Sequence, residues 1–141
     1  MPLLSELYGY NVENLFQRDH SRLILWCGSL EKEEPIVVDE PTFSLDILPT
    51  LSNLFGTEFD SRLFVGRDVF SDAEPLVFNS QYDWKTSYGT YYASKNKFVL
   101  ADGIDSVPEN YVENMKTQVR NKIRYCTLAL ENDYFRHLFE K

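Results

Sequence analysis

The pattern of hydrophobic and polar positions places a strand-rich segment in the middle of the chain. Four short runs rich in aromatic and β-branched residues follow one another and are separated by turn residues. Such runs favour an antiparallel meander joined by tight turns. The predicted strands are Pro75–Ser80, Tyr82–Ser87, Gly89–Ser94 and Lys97–Ala101, with turns at Ser87–Gly89 and Lys95–Asn96.

A long amphipathic pattern follows the predicted strands. Apolar residues recur at spacings of three and four, namely Val112, Met115, Val119, Ile123, Cys126 and Leu130. Ser106–Glu109 fits a capping box with a proline in the first turn, so the pattern predicts a helix from Pro108 to Leu130. Asn132–Asp133 breaks it, and the aromatic segment Tyr134–Phe139 is expected to pack back. The predicted fold class is α+β, a small antiparallel sheet of about four strands packed by a long C-terminal helix.

A proline interrupts a second amphipathic stretch, SLDILPTLSNLFG, between Ser44 and Gly56. Proline is tolerated in the first turn of a helix, where the N–H groups have no intrahelical partner. We therefore interpret Pro49 as part of a helix start, with Ser44 or Asp46 as the cap and Gly56 as the C-terminal stop.

The N-terminal part has weaker signals. Leu3–Phe16 has a helical period interrupted by Gly9. Arg22–Cys27 is a continuous apolar run closed by Gly28, which predicts a strand covered on both faces. Ile36–Val38 is predicted to form another short strand.

Composition and charge exclude several function classes. The chain has 141 residues, of which 43% are hydrophobic, enough for one compact domain. A net charge of -8 disfavours binding to nucleic acid or to anionic membrane surfaces. No apolar run is long enough to span a bilayer, and the N-terminus has no export signal. The expectation from these features is a soluble segment without direct membrane contact or a nucleic acid partner.

Candidate chemistry is sparse. Asp19–His20 is weighed as a ligand pair, but no other ligating cluster lies near it in sequence, which favours a structural or rim role. His137 is interpreted as a partly exposed terminal residue. The two cysteines form no C-x-x-C pair. Buried thiols are favoured for Cys27 and Cys126, and whether they pair with each other stays open.

Two further clusters have competing interpretations. The acidic residues could bind a divalent cation, but they lack the spacing of a calcium loop, and a solvated loop is favoured. These residues are Glu31, Glu33, Glu34, Asp39 and Glu40. The strand aromatics could offer a platform for sugar rings, although cross-strand packing in a core is the favoured interpretation. These residues are Tyr82, Trp84, Tyr88, Tyr91 and Tyr92.

Three segments carry a family resemblance. PIVVDEPTFSLDILPTLSNLFG, GRDVF (Gly66–Phe70) and EPLVFNSQYDWKT (Glu74–Thr86) resemble the C-terminal part of the sulfatase-like branch of the alkaline phosphatase superfamily. Within that branch the chain is most similar to the lipoteichoic acid synthase and phosphoglycerol transferase group. The resemblance extends from about Arg22 to the end, and its most specific part is the D-x-x-P-T helix followed by G-R-D.

The resemblance implies an incomplete enzyme. Family members use a threonine, serine or modified cysteine nucleophile beside a divalent metal, and these groups lie N-terminal to the matched region. The chain is therefore expected to hold no catalytic, cofactor or metal residue. It would be a single inert C-terminal subdomain over residues 1–141. In this division, residues 1–43 belong in part to a larger sheet layer, and residues 44–141 form the C-terminal sheet and helix.

The same resemblance implies a partner, a location and roles for a few residues. The partner would be the N-terminal catalytic portion of the same polypeptide. The intact enzyme would lie on the extracellular face of the cell membrane and would contain a divalent metal. Asp46 and Thr50 would hold a structural junction without acid–base duty. His20 and Arg22 would come nearest to the substrate, as a cationic rim beside an anionic phosphate or sulfate ester.

An alternative from another class is a free-standing glycan- or partner-binding module with no catalysis, which would use Trp84 and its neighbouring tyrosines. An exposed apolar face separates the two hypotheses. A subdomain would present the surface that meets the catalytic half, whereas a module would have a polar surface and stay monomeric.

Overall fold

The computed structural model describes residues 2–140, without the side chains of Leu30 and Phe139. Met1 and Lys141 lie outside the described residues. Two compact units are present, one up to Val37 and one from Val38 onward, and each is considered by itself.

The second unit contains a four-stranded antiparallel sheet in the order β1-β2-β3-β4, as predicted. Its strands are β1 (Val77–Phe78), β2 (Trp84–Thr86), β3 (Gly89–Tyr92) and β4 (Lys97–Leu100). Trp84 pairs with Tyr91, and Tyr91 pairs with Phe98. Because side chains alternate between the faces of a sheet, this register aligns three aromatic rings on one face.

The long helix α4 (Tyr111–Glu131) covers that face. Tyr111, Met115 and Val119 are buried in one cluster with Trp84 and Tyr91. The α+β architecture with a long C-terminal helix packed on a small sheet is therefore confirmed.

The start of α4 differs from the prediction. The helix begins at Tyr111, and the predicted capping box around Pro108 does not form. Asn110, which precedes the helix, has a left-handed backbone with φ of 60° and makes no side-chain capping bond. That conformation ends the helical path on the N-terminal side, so Pro108 lies in the preceding turn, where its carbonyl accepts a hydrogen bond from Tyr111 N.

Helix α3 (Ile47–Leu54) follows a short 3-10 turn at Ser44–Asp46. Pro49 is its third residue, which confirms the interpretation of the proline as part of a helix start. Gly56 lies just after the helix with a left-handed φ of 63°, as expected for a helix stop.

The chain ends in a short helix α5 (Tyr134–Phe139). It is separated from α4 at Asn132 and Asp133, as predicted, and Asp133 has a φ of 49°. Tyr134 and Phe135 contact each other edge to face and stay exposed. Among the described residues, no helix is both long and apolar enough to cross a lipid bilayer.

The first unit has two short helices, α1 (Pro2–Tyr8) and α2 (Leu15–Arg18). The predicted single helix is interrupted at Gly9, whose φ of 72° suits glycine and ends α1. Asn14 caps α2 by accepting a hydrogen bond from Gln17 N at 2.9 Å.

Both strands predicted in this region are wrong. Arg22–Cys27 and Ile36–Val38 form no strand, and Ile24 and Trp26 are 82% and 75% exposed. A strand needs a neighbour to accept and donate its hydrogen bonds, and the strands of the described residues pair only with one another between Val77 and Leu100. The apolar run therefore stays exposed and without regular secondary structure.

The cysteines also differ from expectation in one case. Cys27 is exposed, with its Sγ 2.7 Å from Ser29 Oγ, so the prediction of a buried thiol there is wrong. The predicted burial depended on the strand that does not form. Cys126 is half-buried on α4.

Candidate functional site

The residues predicted to approach a substrate, His20 and Arg22, both lie in the first unit. They are exposed and belong to a segment without regular secondary structure. Asp19, considered together with His20 as a possible pair of metal ligands, forms a bidentate ion pair with Arg18 at 2.6 and 2.7 Å. Hydrogen bonding to the Arg18 guanidinium lowers the pKa of Asp19. This carboxylate is thus engaged with a neighbouring cation, and the role of His20 and Arg22 stays a prediction.

The acidic residues between Glu31 and Glu40 are exposed. Across the described part of the chain, no group of three His, Cys, Asp or Glu side chains is placed to hold a metal ion. Glu40 accepts a hydrogen bond from Arg67 Nη2 at 2.8 Å. The exposure of these residues agrees with the favoured interpretation of a solvated loop, and Glu40 forms an ion pair with Arg67.

The aromatic residues of the sheet form the core. Trp84 has no exposed surface, and its ring stacks on Tyr91 at 5.3 Å between centroids. Tyr111 meets it edge to face at 6.2 Å. The Tyr111 hydroxyl is bonded to Thr86 Oγ1 and Glu74 Oε1 at 2.8 and 2.7 Å, and burial raises the pKa of Tyr111. Trp84 is therefore unavailable for stacking on a sugar ring.

The most completely bonded polar site is the junction between α3 and the Gly66–Phe70 segment. The Asp46 side chain is 3% exposed. Its Oδ1 accepts a hydrogen bond from Arg67 N at 2.8 Å, and its Oδ2 accepts one from Phe43 N at 3.1 Å. Backbone groups that lie 24 residues apart in sequence, Phe43 and Arg67, thus share one carboxylate.

Thr50 adds a second connection one turn further along α3. Its hydroxyl donates to the carbonyl of Asp46 at 2.7 Å and accepts from Val69 N at 3.1 Å. The backbones also come very close. A Cβ on Gly66 would overlap the carbonyl of Leu45 and lie 2.7 Å from Asp46 N. Only glycine permits this approach, which explains the glycine at the start of the G-R-D segment.

Two cations complete the junction. The Arg67 side chain is 9% exposed and pairs with Glu40, while its Nε has no hydrogen-bond partner among the described residues. Lys122 reaches across from α4, and its Nζ donates to the carbonyl of Val65 at 2.5 Å. Tyr125 Oη, on the next turn of α4, donates to the carbonyl of Leu63 at 3.2 Å. Helix α4 is thereby connected to the loop that contains Gly66.

Burial controls the ionisation of this site. Desolvation raises the pKa of Asp46, against the opposing effect of its two backbone hydrogen bonds and of Arg67 and Lys122. Desolvation also lowers the pKa of Lys122, and the nearby Asp46 charge partly compensates. Both shifts oppose charge, as expected for ionisable groups removed from water.

The raised pKa of Asp46 predicts a pH dependence of stability. Between the ordinary carboxyl value of 3.8 and the raised value, the folded chain binds more protons at Asp46 than the unfolded chain does. The Asp46 contribution to the free energy of unfolding therefore falls as the pH rises through that window. Asp46→Asn should remove this component of the slope, measured by urea unfolding of both proteins at several pH values. An identical slope in the two proteins would contradict the prediction.

The arrangement holds structure together and leaves little for chemistry. Both Asp46 oxygens and the Thr50 hydroxyl are occupied by bonds within the chain. Sequence reasoning identified Asp46, Thr50 and the G-R-D segment. It missed Lys122, which lies off the apolar stripe of α4 and has the pattern of an ordinary surface lysine.

Two open cavities of about 450 Å³ each flank α4. One is lined mainly by amide and hydroxyl side chains of α4 together with Arg62 and Phe64. The other lies at the end of the sheet and is lined by tyrosines and basic residues.

Comparison with known proteins gave no relative: no family model, no curated protein and no solved structure matches this chain.

Proposed function

We propose that this chain is the C-terminal structural subdomain of a sulfatase-like phosphoglycerol transferase or of a phosphate or sulfate ester hydrolase. In this role it contributes packing surface and no catalytic group. The nucleophile and the divalent metal would belong to an N-terminal catalytic portion of the same polypeptide, facing the outside of the cell. The proposal rests on the resemblance of residues 35–56, 66–70 and 74–86 together with one observation on α3.

That observation is the exposure of several apolar side chains of α3 and its C-terminal end, while two polar side chains beside them are buried. The helix directs polar groups toward its own chain, since Asp46 and Thr50 are buried. Three apolar side chains of α3 and its C-terminal end are exposed, namely Leu48 (58%), Leu54 (53%) and Phe55 (77%), whereas Ile47 and Leu51 are half-buried. An amphipathic helix normally buries its apolar side, and a contiguous exposed apolar surface is typical of an interaction site. The exposed side of α3 therefore fits a surface that another part of the protein covers.

The same interpretation accounts for two exposed apolar segments that precede α3 in the sequence. Leu23–Trp26 and Ile36–Val38 have the composition of buried strands, yet they pair with no strand among the described residues. In the proposed parent enzyme these segments would meet the larger sheet layer. A free-standing module would instead leave both apolar segments in water.

The mass of the native polypeptide tests the proposal. An antibody raised against the Tyr111–Glu131 helix would detect the protein in an extract of its source cells. A membrane-fraction product several times larger than 16.5 kDa is the expected result. A stable product of 16.5 kDa would overturn the proposal and favour the binding module.

Exposure on α3 also predicts self-association of the isolated chain. Phe55→Gln should raise the concentration needed for association about tenfold, because burying a phenylalanine stabilises a contact by about 1.5 kcal/mol or more. Analytical ultracentrifugation measures this directly. Val99→Gln, at an exposed valine of β4, is the control and should change association by less than twofold. A wild-type chain that stays monomeric at high concentration would contradict the prediction.

A further inference from the structure

The cavity at the end of the sheet combines an exposed aromatic ring with basic side chains. It lies between the residues that flank β2 and β3 and the middle of α4, and its volume is about 450 Å³. Tyr82 and Tyr91 contribute from the sheet side, and Lys116, Val119 and Arg120 contribute from α4. The volume is within the range of small-molecule sites.

Tyr82 has an unusual backbone. Its φ of 65° is in the left-handed region, which a bulky side chain rarely adopts. The turn is stabilised by a hydrogen bond from Asn79 N to the carbonyl of Asp83 and by the Asn79 side chain, which accepts from Gln81 N and Asp83 N. Tyr82 is 46% exposed beside the cavity, so burial in the core does not compensate for the strain. Strained non-glycine residues of this kind concentrate at binding sites.

The basic side chains form a stripe along α4. Lys116, Arg120 and Arg124 recur at intervals of four residues, so like charges face one another on adjacent turns. This arrangement is unfavourable by itself, and it occurs in a chain whose net charge is -8. Three basic side chains are thus placed on one face of α4.

The two cations beside the cavity differ in their partners. Lys116 Nζ bonds to Glu113 at 2.8 Å and to Asn96 at 3.2 Å, and it lies 5.2 Å from the centre of the Tyr91 ring. Arg120 is exposed, and its side chain forms no hydrogen bond or ion pair with any other described residue. Its planar guanidinium can therefore bind an oxyanion through two parallel hydrogen bonds.

We propose that this cavity binds a small organic oxyanion, with its phosphate or carboxylate held by Arg120 and Lys116 and its uncharged ring packed against Tyr82. Val119 provides an apolar floor between the two cations. The site does not depend on the proposed function, because its lining residues all belong to this chain and none to a separate catalytic portion.

Three sugars that differ in charge test the proposal. Glucose 1-phosphate, glucuronate and glucose would be titrated into the ¹⁵N-labelled chain at low salt, while amide shifts near Tyr82, Tyr91 and Arg120 are followed. At least one charged sugar is expected to bind, and the preferred one identifies the anion as phosphate or carboxylate. Equal binding of glucose, or no shift with any sugar, would overturn the proposal. Inorganic phosphate that binds as tightly as glucose 1-phosphate would indicate an adventitious ion only and would overturn it as well.

Variants separate a specific site from general attraction. Arg120→Gln should weaken binding at least tenfold, because it removes charge-assisted hydrogen bonds. Arg124→Gln removes the same charge from the next turn, outside the cavity lining, and should change affinity less than twofold. Equal losses in the two variants would show that only net charge matters and would overturn the proposal.

Replacing Tyr82 separates a role in binding from a role in stability, because the two quantities are expected to change in opposite directions. Tyr82→Gly should weaken binding several-fold and also raise the unfolding midpoint, because glycine adopts the left-handed backbone without strain. Gln81→Gly, in the same turn and outside the cavity lining, is the control for the loss of a side chain and should leave affinity unchanged. Unchanged affinity in Tyr82→Gly would contradict the role of the ring.

Discussion

Replacing Trp84 with alanine should destabilise the chain by about 3 to 5 kcal/mol, the usual cost of removing a large aromatic side chain from a core. Trp84 has no exposed surface, stacks on Tyr91 and also contacts Phe98 and Tyr111. Its removal leaves a cavity where the sheet meets α4. Urea unfolding followed by far-ultraviolet circular dichroism measures the effect.

The second tryptophan is a matched control. Trp26 is 75% exposed, so Trp26→Ala should change the free energy of unfolding by less than about 0.5 kcal/mol. A large loss in Trp26→Ala would show that its segment is buried in solution. A small loss in Trp84→Ala would contradict the core described here.

Gly66→Ala should destabilise the chain by about 3 kcal/mol, because the added methyl group meets backbone atoms. The nearest are the carbonyl of Leu45 and the nitrogen of Asp46, and neither can move without disturbing the junction. Overpacking against rigid structure has a cost of this order. Separation of α3 from the loop would also break the Asp46–Arg67 hydrogen bond. Thermal and urea unfolding provide the measurement.

Gly103→Ala distinguishes this overlap from backbone strain. Gly103 has a left-handed φ of 80°, and a Cβ added to it would have no atom from beyond its chain neighbours within 4 Å. Gly103→Ala should lower the free energy of unfolding only by the cost of placing alanine in the left-handed conformation, about 1 kcal/mol. Equal effects at the two glycines would contradict the close approach at Gly66.

The periodic segments were predictable because their signals are local. Alternation and turn residues located the four strands, and spacings of three and four located α4. Pro49 and Gly56 located the limits of α3. The start of α4 was predicted wrongly, because the left-handed backbone at Asn110 is not encoded in an obvious capping pattern. Arg22–Cys27 failed for another reason. A strand depends on its neighbour, and hydrophobicity alone does not say whether one is present.

The candidate site was only partly accessible to prediction. Asp46, Thr50 and the G-R-D segment were singled out by their spacing and their resemblance. The roles of Lys122 and Tyr125 depend on the path of a loop that lies about 60 residues earlier in the chain. Such distant contacts leave no periodic signal, so sequence patterns did not reveal them.

The sequence by itself determined the α+β class, the meander and the long terminal helix, because hydrophobic periodicity and turn chemistry act over a few residues. Tertiary structure alone decided which side of α3 is buried and which backbone groups hydrogen-bond to Asp46. It also decided that Tyr82 and Arg120 line the same cavity. These features depend on residues brought together from distant parts of the chain. The free energies of these contacts depend on the close packing of backbone segments and on the removal of polar groups from water, and both arise only when the chain folds.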